Sequence, residues 1–157
     1  MKSSWKAGVS FGMTSATITI LGLMMGLNAG THSKLVVAGG ILTIAVADAF
    51  SDALGMHMAE ESNKTDKKGV WEATIATFLT KLLFGLTFLI PIILLSLNTA
   101  IIANIAWGLF ALGVLSYVIA KNEGEKPFKV IGEHIAIAVI VLIISDLLGV
   151  IIANMFG

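Results

Sequence analysis

The sequence predicts an all-α integral membrane protein of five transmembrane helices, on three observations. First, the 157 residues are 57% hydrophobic and only 13% charged, against about half apolar and a quarter charged in an ordinary soluble domain. Second, the apolar residues come in long runs, each close to the roughly 20 residues a helix needs to cross a bilayer. Third, four short segments part these runs: "NAGTHSK" (28–34), "EESNKTDKKGVWE" (60–72), "SLNT" (96–99) and "KNEGEKPFK" (121–129). Each contains turn formers or charge. The mean hydropathy of +0.94 agrees.

Span one covers residues 8–27, after Lys2 and Lys6. Its length of about 20 residues exceeds the roughly 7–15 of a signal-peptide core, so it reads as a retained span. Gly8, Gly12, Ser15, Thr19, Gly22 and Gly26 recur along it at spacings of four and three, which places them on one face. Small residues let helix backbones approach closely in lipid. This seam serves either a neighbouring span or a second copy of the chain, as a homodimer interface. Span two covers 35–59, and span three, 74–95, holds Pro91, which is expected to kink it. Spans four (100–120) and five (130–156) complete a single transmembrane domain over 1–157, with no inverted repeat.

Lysine placement sets the orientation. With the N-terminus cytoplasmic and the C-terminus outside, Lys2, Lys6, Lys64, Lys67, Lys68, Lys121, Lys126 and Lys129 all fall on the cytoplasmic side. Lys34 alone falls outside, and Lys81 lies within span three. This is a strong positive-inside pattern. Formal net charge is zero, so nothing points to nucleic acid, and no cysteine offers a disulfide or a thiolate metal site. There is no phosphate-binding glycine loop, no HExxH and no nucleophile–base set near either interface, so an enzyme is not expected.

The stretch "IAVADAFSDALGMHMAEES" (44–62) carries the chemistry. At about 1.5 Å rise per residue Asp48 lies near the midplane, and Asp52 one turn closer to the cytoplasm. Each ionisable residue there costs roughly 2.5–3.5 kcal/mol on insertion scales, and such residues mark a pathway or a relay. Met56 and Glu60 continue the row at the same spacing of four, with His57 and Glu61 just beside it. Carboxylate oxygens suit hard or borderline divalent cations, imidazole suits iron, manganese and zinc, and a thioether adds a softer contact. Desolvation favours the protonated form of a carboxyl and a bound cation favours the charged form. A buried carboxylate pair can therefore hold protons when empty and release them to a metal. The competing reading is structural, with Asp48 and Asp52 bonded to neighbouring helices or to Lys81, which sits near the depth of Asp52. Asp146 in span five lies more than halfway across and is a candidate for the exit side of a path. Glu133 and His134 open the same span and read as a solvated helix start or a proton relay.

The chain resembles the vacuolar iron transporter family of iron(II) and manganese(II) transporters. The matching stretches are "GVSFGMTSATITILGLMMG" in span one, "AGGILTIAVADAFSDALGMHMAEES" in span two, the proline-containing "GLTFLIPIILL" in span three, and the closing "KPFKVIGEHIAIAVIVLIISDLLGVIIANMFG". The resemblance implies a homodimer with a metal path between subunits, exporting divalent metal from the cytoplasm in exchange for protons. Three departures stand out. Phe11 occupies the place of an aspartate early in the family's first helix. "SDALGMH" (51–57) stands where the family reads like "SMxxGEY", so that Asp52 holds a methionine position and Met56 a glutamate position. The short segment 60–72 replaces a glutamate-rich cytoplasmic domain.

The expected function is thus a five-helix carrier of Fe2+ or Mn2+ as transported substrate, with no resident cofactor, in a prokaryotic plasma membrane. Asp48, Asp52, Met56, Glu60 and His57 are the expected metal residues. Glu61, Glu133, Asp146 and Lys81 are the secondary or relay residues. A non-transporting membrane scaffold is the rival from another class, and a carrier of a small organic cation is a third possibility.

Overall fold

In the computed structural model, which describes residues 3–156, every apolar run is helical. The elements are α1 (Ser3–Thr31), α2 (Lys34–Ser62), α3 (Lys67–Thr87), α4 (Leu89–Leu94), α5 (Leu97–Glu123) and α6 (Pro127–Phe156). α3 and α4 follow one another as a single rod, so the described residues hold five helical segments long and apolar enough to cross a membrane. The helices outreach the apolar windows. α3 begins at Lys67 rather than near 74: Lys67, Lys68 and Glu72 are charged yet suit a helix, and Gly69 is accommodated where the chain passes close to Thr65 and Ser4. Only 63–66 is left to turn the chain.

The ends follow local chemistry. The Ser33 hydroxyl accepts from the Val36 N–H at 3.4 Å and caps α2. α5 closes on Gly124, whose φ of 74° lies in the left-handed region open to glycine. The Glu125 N–H then returns to the Ala120 carbonyl at 2.9 Å. Pro127 opens α6, where its missing N–H has no helical partner to lose. Lys34, the one lysine out of pattern, sets its ammonium 2.8 Å from the Leu95 carbonyl and 3.3 Å from that of Ile93. It caps the negative end of α4.

Pro91 breaks span three as expected. Its ring removes one backbone donor and crowds the carbonyl four residues earlier, at Thr87. The rod breaks at Phe88, whose N–H turns back to Gly85 at 3.2 Å. α5 stitches the break: Asn104 Nδ2 donates to the Phe88 carbonyl at 2.9 Å, and Trp107 Nε1 to the Thr87 hydroxyl at 3.0 Å.

α1 is the centre of the bundle and packs against α2, α3, α5 and α6. Ile20, Leu21 and Met24 on it bury against Val37 and Ile41 of α2 and Phe88 and Ile92 at the break. The small-residue seam is occupied within the chain, by two partners. A Cβ placed on Gly12 would come within 3.0 Å of the Thr77 carbonyl of α3, and one on Gly8 would strike Ala73. Farther along, Gly22 faces Val141 and Ser145 of α6, and Gly26 faces Ser145. α3 and α6 thus share one face of α1, each taking half.

Contacts between neighbours pair early with late residues, as in Ser116 with His134, so consecutive rods run antiparallel. Gly69 approaches Ser4, which brings the start of α1 beside the α2–α3 connection. Lys6, Lys64, Lys67 and Lys68 therefore collect at one end of the bundle, where antiparallel order also puts Lys121, Lys126 and Lys129. Lys2 lies outside the described residues.

Candidate ion site in the helical core

The site forms where α1, α2 and α3 meet halfway along the bundle. α3 approaches α1 closely because Gly8 and Gly12 present no side chain, and this carries Lys81 into the core with 1% of its side chain exposed. A charge so placed demands partners. Asp48 Oδ2 lies 2.6 Å from Lys81 Nζ. Asp52 Oδ2 makes a shorter contact with the same nitrogen. The Ser15 hydroxyl completes the group, accepting from Lys81 Nζ at 2.7 Å and donating to Asp52 Oδ2 at 2.5 Å. Asp52 is bound by aligned hydrogen bonds, whereas the Asp48 oxygen meets the ammonium off the hydrogen-bonding direction and is held by charge alone.

Two carboxylates surround one ammonium, which leaves one negative charge in excess. Asp48 and Asp52 keep 20% and 18% of their side chains exposed, so the cluster is reachable where Lys81 is not. A groove of about 580 Å³ runs between α1, α2 and α6 on the far side of the cluster from the lysine-rich end. Ile44, one turn before Asp48, and Thr19, one turn after Ser15, both line it. The groove thus has walls one helical turn from the cluster, while Ser15, Asp48, Asp52 and Lys81 themselves do not line it.

The remaining sequence candidates disperse. Met56 is half-buried on α2. Glu60 accepts from the Thr65 hydroxyl at 2.7 Å and ties down the α2–α3 turn. His57 faces another way. It lies five residues beyond Asp52, about 140° around the helix, where its Nδ1 meets the Thr74 hydroxyl at 3.0 Å and its ring stands edge-on to Trp71. Glu61 lies 3.6 Å from His57 Nε2. Glu133 is exposed beside Lys129 at 3.8 Å, and His134 Nδ1 bonds Ser116 of α5 at 2.7 Å. Asp146 is half-buried on α6, apart from the cluster's hydrogen bonds and ion pairs. Among the described residues no three His, Asp or Glu side chains converge as a metal-holding group. A divalent cation held by Asp48 and Asp52 would thus draw on hydroxyl, carbonyl or water oxygens for its other ligands.

Sequence reasoning placed Ser15 in the packing seam and missed its polar role. The signal lay in its depth: a hydroxyl on the small-residue face, level with Asp52. Asn104 also went unremarked. It is fully buried, and its amide oxygen has no hydrogen-bond partner. No protein-family model, curated protein or solved structure matches this chain.

Proposed function

We propose that this is a membrane cation–proton exchanger whose working site is the Asp48–Asp52 pair, with iron(II) or manganese(II) as substrate. One observation carries the reading: two carboxyl groups set against a single lysine nitrogen in the middle of an apolar bundle, one acid more than the base can pair as ions. The acid left over calls for one more positive charge, either a proton or a cation. Lys81 is the resident cation. A divalent ion entering the pair competes with the ammonium for the same oxygens, and with Lys81 still in place the site stays neutral only if a proton leaves the cluster as the metal enters. Protons refill the pair when the metal leaves, which couples the two flows. The groove along α1, α2 and α6 is the route on one side. A second copy of the chain closing over it would form the homodimer, and the lysine-rich end would face the cytoplasm of a prokaryotic plasma membrane.

The burial of Lys81 also favours a second reading, in which the cluster is a polar clamp in a scaffold that transports nothing. Purified protein in vesicles, loaded with a pH dye and offered iron(II), manganese(II), cobalt(II) or zinc(II), separates the two. Metal entry with opposing proton movement, lost in Asp52→Asn protein that stays folded, establishes the exchanger. Folded protein with no flux of any metal leaves the clamp.

A further inference from the structure

Two cavities meet at the α2–α3 edge near the lysine-rich end. One, of about 440 Å³, is walled by apolar side chains including Phe50, Leu54, Phe78 and Leu79. The other, of about 490 Å³, is lined by Glu61, Thr65 and Lys67. His57 and Trp71 line both, so the two adjoin across this pair of rings and make a surface slot with an apolar and a polar half. Its waist is firmly built: Thr74 holds the imidazole at 3.0 Å, and the Trp71 ring stands edge-on at 4.9 Å between centroids. Trp71 is 58% exposed and sits one turn into α3, where a span leaves the apolar layer and tryptophan is favoured.

We infer that this slot binds a phospholipid with a primary-amine headgroup, of the phosphatidylethanolamine class, from the leaflet on the lysine-rich side. A phospholipid presents the same order of chemistry as the slot: acyl chain, then phosphate, then the terminal group. Besides the His57 imidazole, the polar half supplies Lys67 for the phosphate and Glu61 for the amine. The Glu61 side chain is 64% exposed: its Oε1 lies 3.6 Å from His57 Nε2, and the carboxylate still has room for a ligand. An ammonium donates up to three hydrogen bonds to a carboxylate, whereas a choline headgroup has no N–H to donate and a glycerol headgroup has no positive charge. The assignment gives His57 and Glu61 a use away from the Asp48–Asp52 pair, and it stands whether or not the chain transports metal.

The test uses the fluorescence of Trp71 in protein carrying Trp5→Phe and Trp107→Phe. The protein is placed in phosphatidylcholine vesicles containing equal fractions of acyl-brominated phosphatidylethanolamine or acyl-brominated phosphatidylcholine. Bromine quenches only nearby indoles. An ion pair at a part-exposed site predicts about two- to fivefold preferential occupancy by the ethanolamine lipid. Glu61→Gln should abolish that preference while leaving the basal quenching. Equal quenching by the two lipids, or a preference that survives Glu61→Gln, overturns the proposal. Trp107 supports the α3–α4 break, so native mass spectrometry of the unaltered chain provides a second readout. Ethanolamine adducts that outlast choline adducts on collisional activation support the site, and equal loss of both refutes it.

Discussion

Replacing Lys81 with methionine keeps the side chain out to the ε position and removes the charged nitrogen. Asp48 and Asp52 are then left facing each other without the ammonium that separates them. Removing one partner of a buried ion pair costs about 3–5 kcal/mol. Both carboxylates are about four-fifths buried, so the lower end applies, a loss of about 3 kcal/mol. In a chain of this length each kcal/mol shifts the melting midpoint by about 2–4 °C, which gives a fall of about 6–12 °C. Asp48→Asn should behave oppositely. It removes the excess charge and leaves Lys81 with Asp52 and Ser15, for a change under about 1 kcal/mol. Asp52→Asn should fall between the two, since Asp52 has the aligned bonds. The triple variant with Lys81→Met, Asp48→Asn and Asp52→Asn should regain most of the stability, because an uncharged replacement of a whole buried cluster is often neutral or better. Thermal unfolding in detergent, followed by tryptophan emission, reads the series. Asp48→Asn as damaging as Lys81→Met, or a triple variant no better than Lys81→Met, would refute the charge argument.

Three further outcomes follow from the same structure. In the vesicle assay, Asp52→Asn should bring metal flux down to that of protein-free vesicles, while Glu133→Gln, at an exposed helix start, should leave it unchanged. Gly149→Ala should cost about 1–3 kcal/mol, because the added methyl strikes the Gly26 carbonyl where α6 crosses α1, whereas Gly39→Ala, facing open space, should stabilise by about 0.5–1 kcal/mol. Lys34→Met should cost about 0.3–1 kcal/mol by uncapping α4, which amide exchange at the α4–α5 connection would register.

The five long helices were legible because a helix able to cross a bilayer needs a long apolar run, and composition records such runs directly. The contact of Lys81 with the acids was legible from depth alone, since a lysine level with an aspartate inside an apolar bundle has few other partners. Direction around a helix was harder to read. His57 follows Met56 by one residue, yet that step turns it about 100° and delivers it to Thr74 and Trp71. The start of α3 escaped because hydropathy marks only the apolar run, while the helix extends beyond it through the mixed residues 67–73. The α1 seam showed that something packs closely, and spacing alone carries no information about what. That it is split between α3 and α6 follows from how those two rods cross α1, a property of tertiary structure.

The split seam and the ion cluster are parts of one device, and this can be tested. Lys81 reaches Asp52 and Ser15 only because α3 lies against bare backbone on α1. A Cβ on Gly12 would stand 3.3 Å from the Lys81 backbone nitrogen, 3.1 Å from Thr80 Cβ and 3.0 Å from the Thr77 carbonyl. Gly12→Ala must therefore push α3 outward by a few tenths of an ångström at the residue that carries the ammonium. Its cost then has two parts, lost packing and a stretched ion cluster, and the second exists only while Lys81 is charged. Combined with Lys81→Met, the pair should be less harmful than the sum of the singles, with a coupling of about 0.5–3 kcal/mol. Strict additivity in that double-mutant cycle would mean that the glycines serve packing alone and that Lys81 reaches its partners without their help.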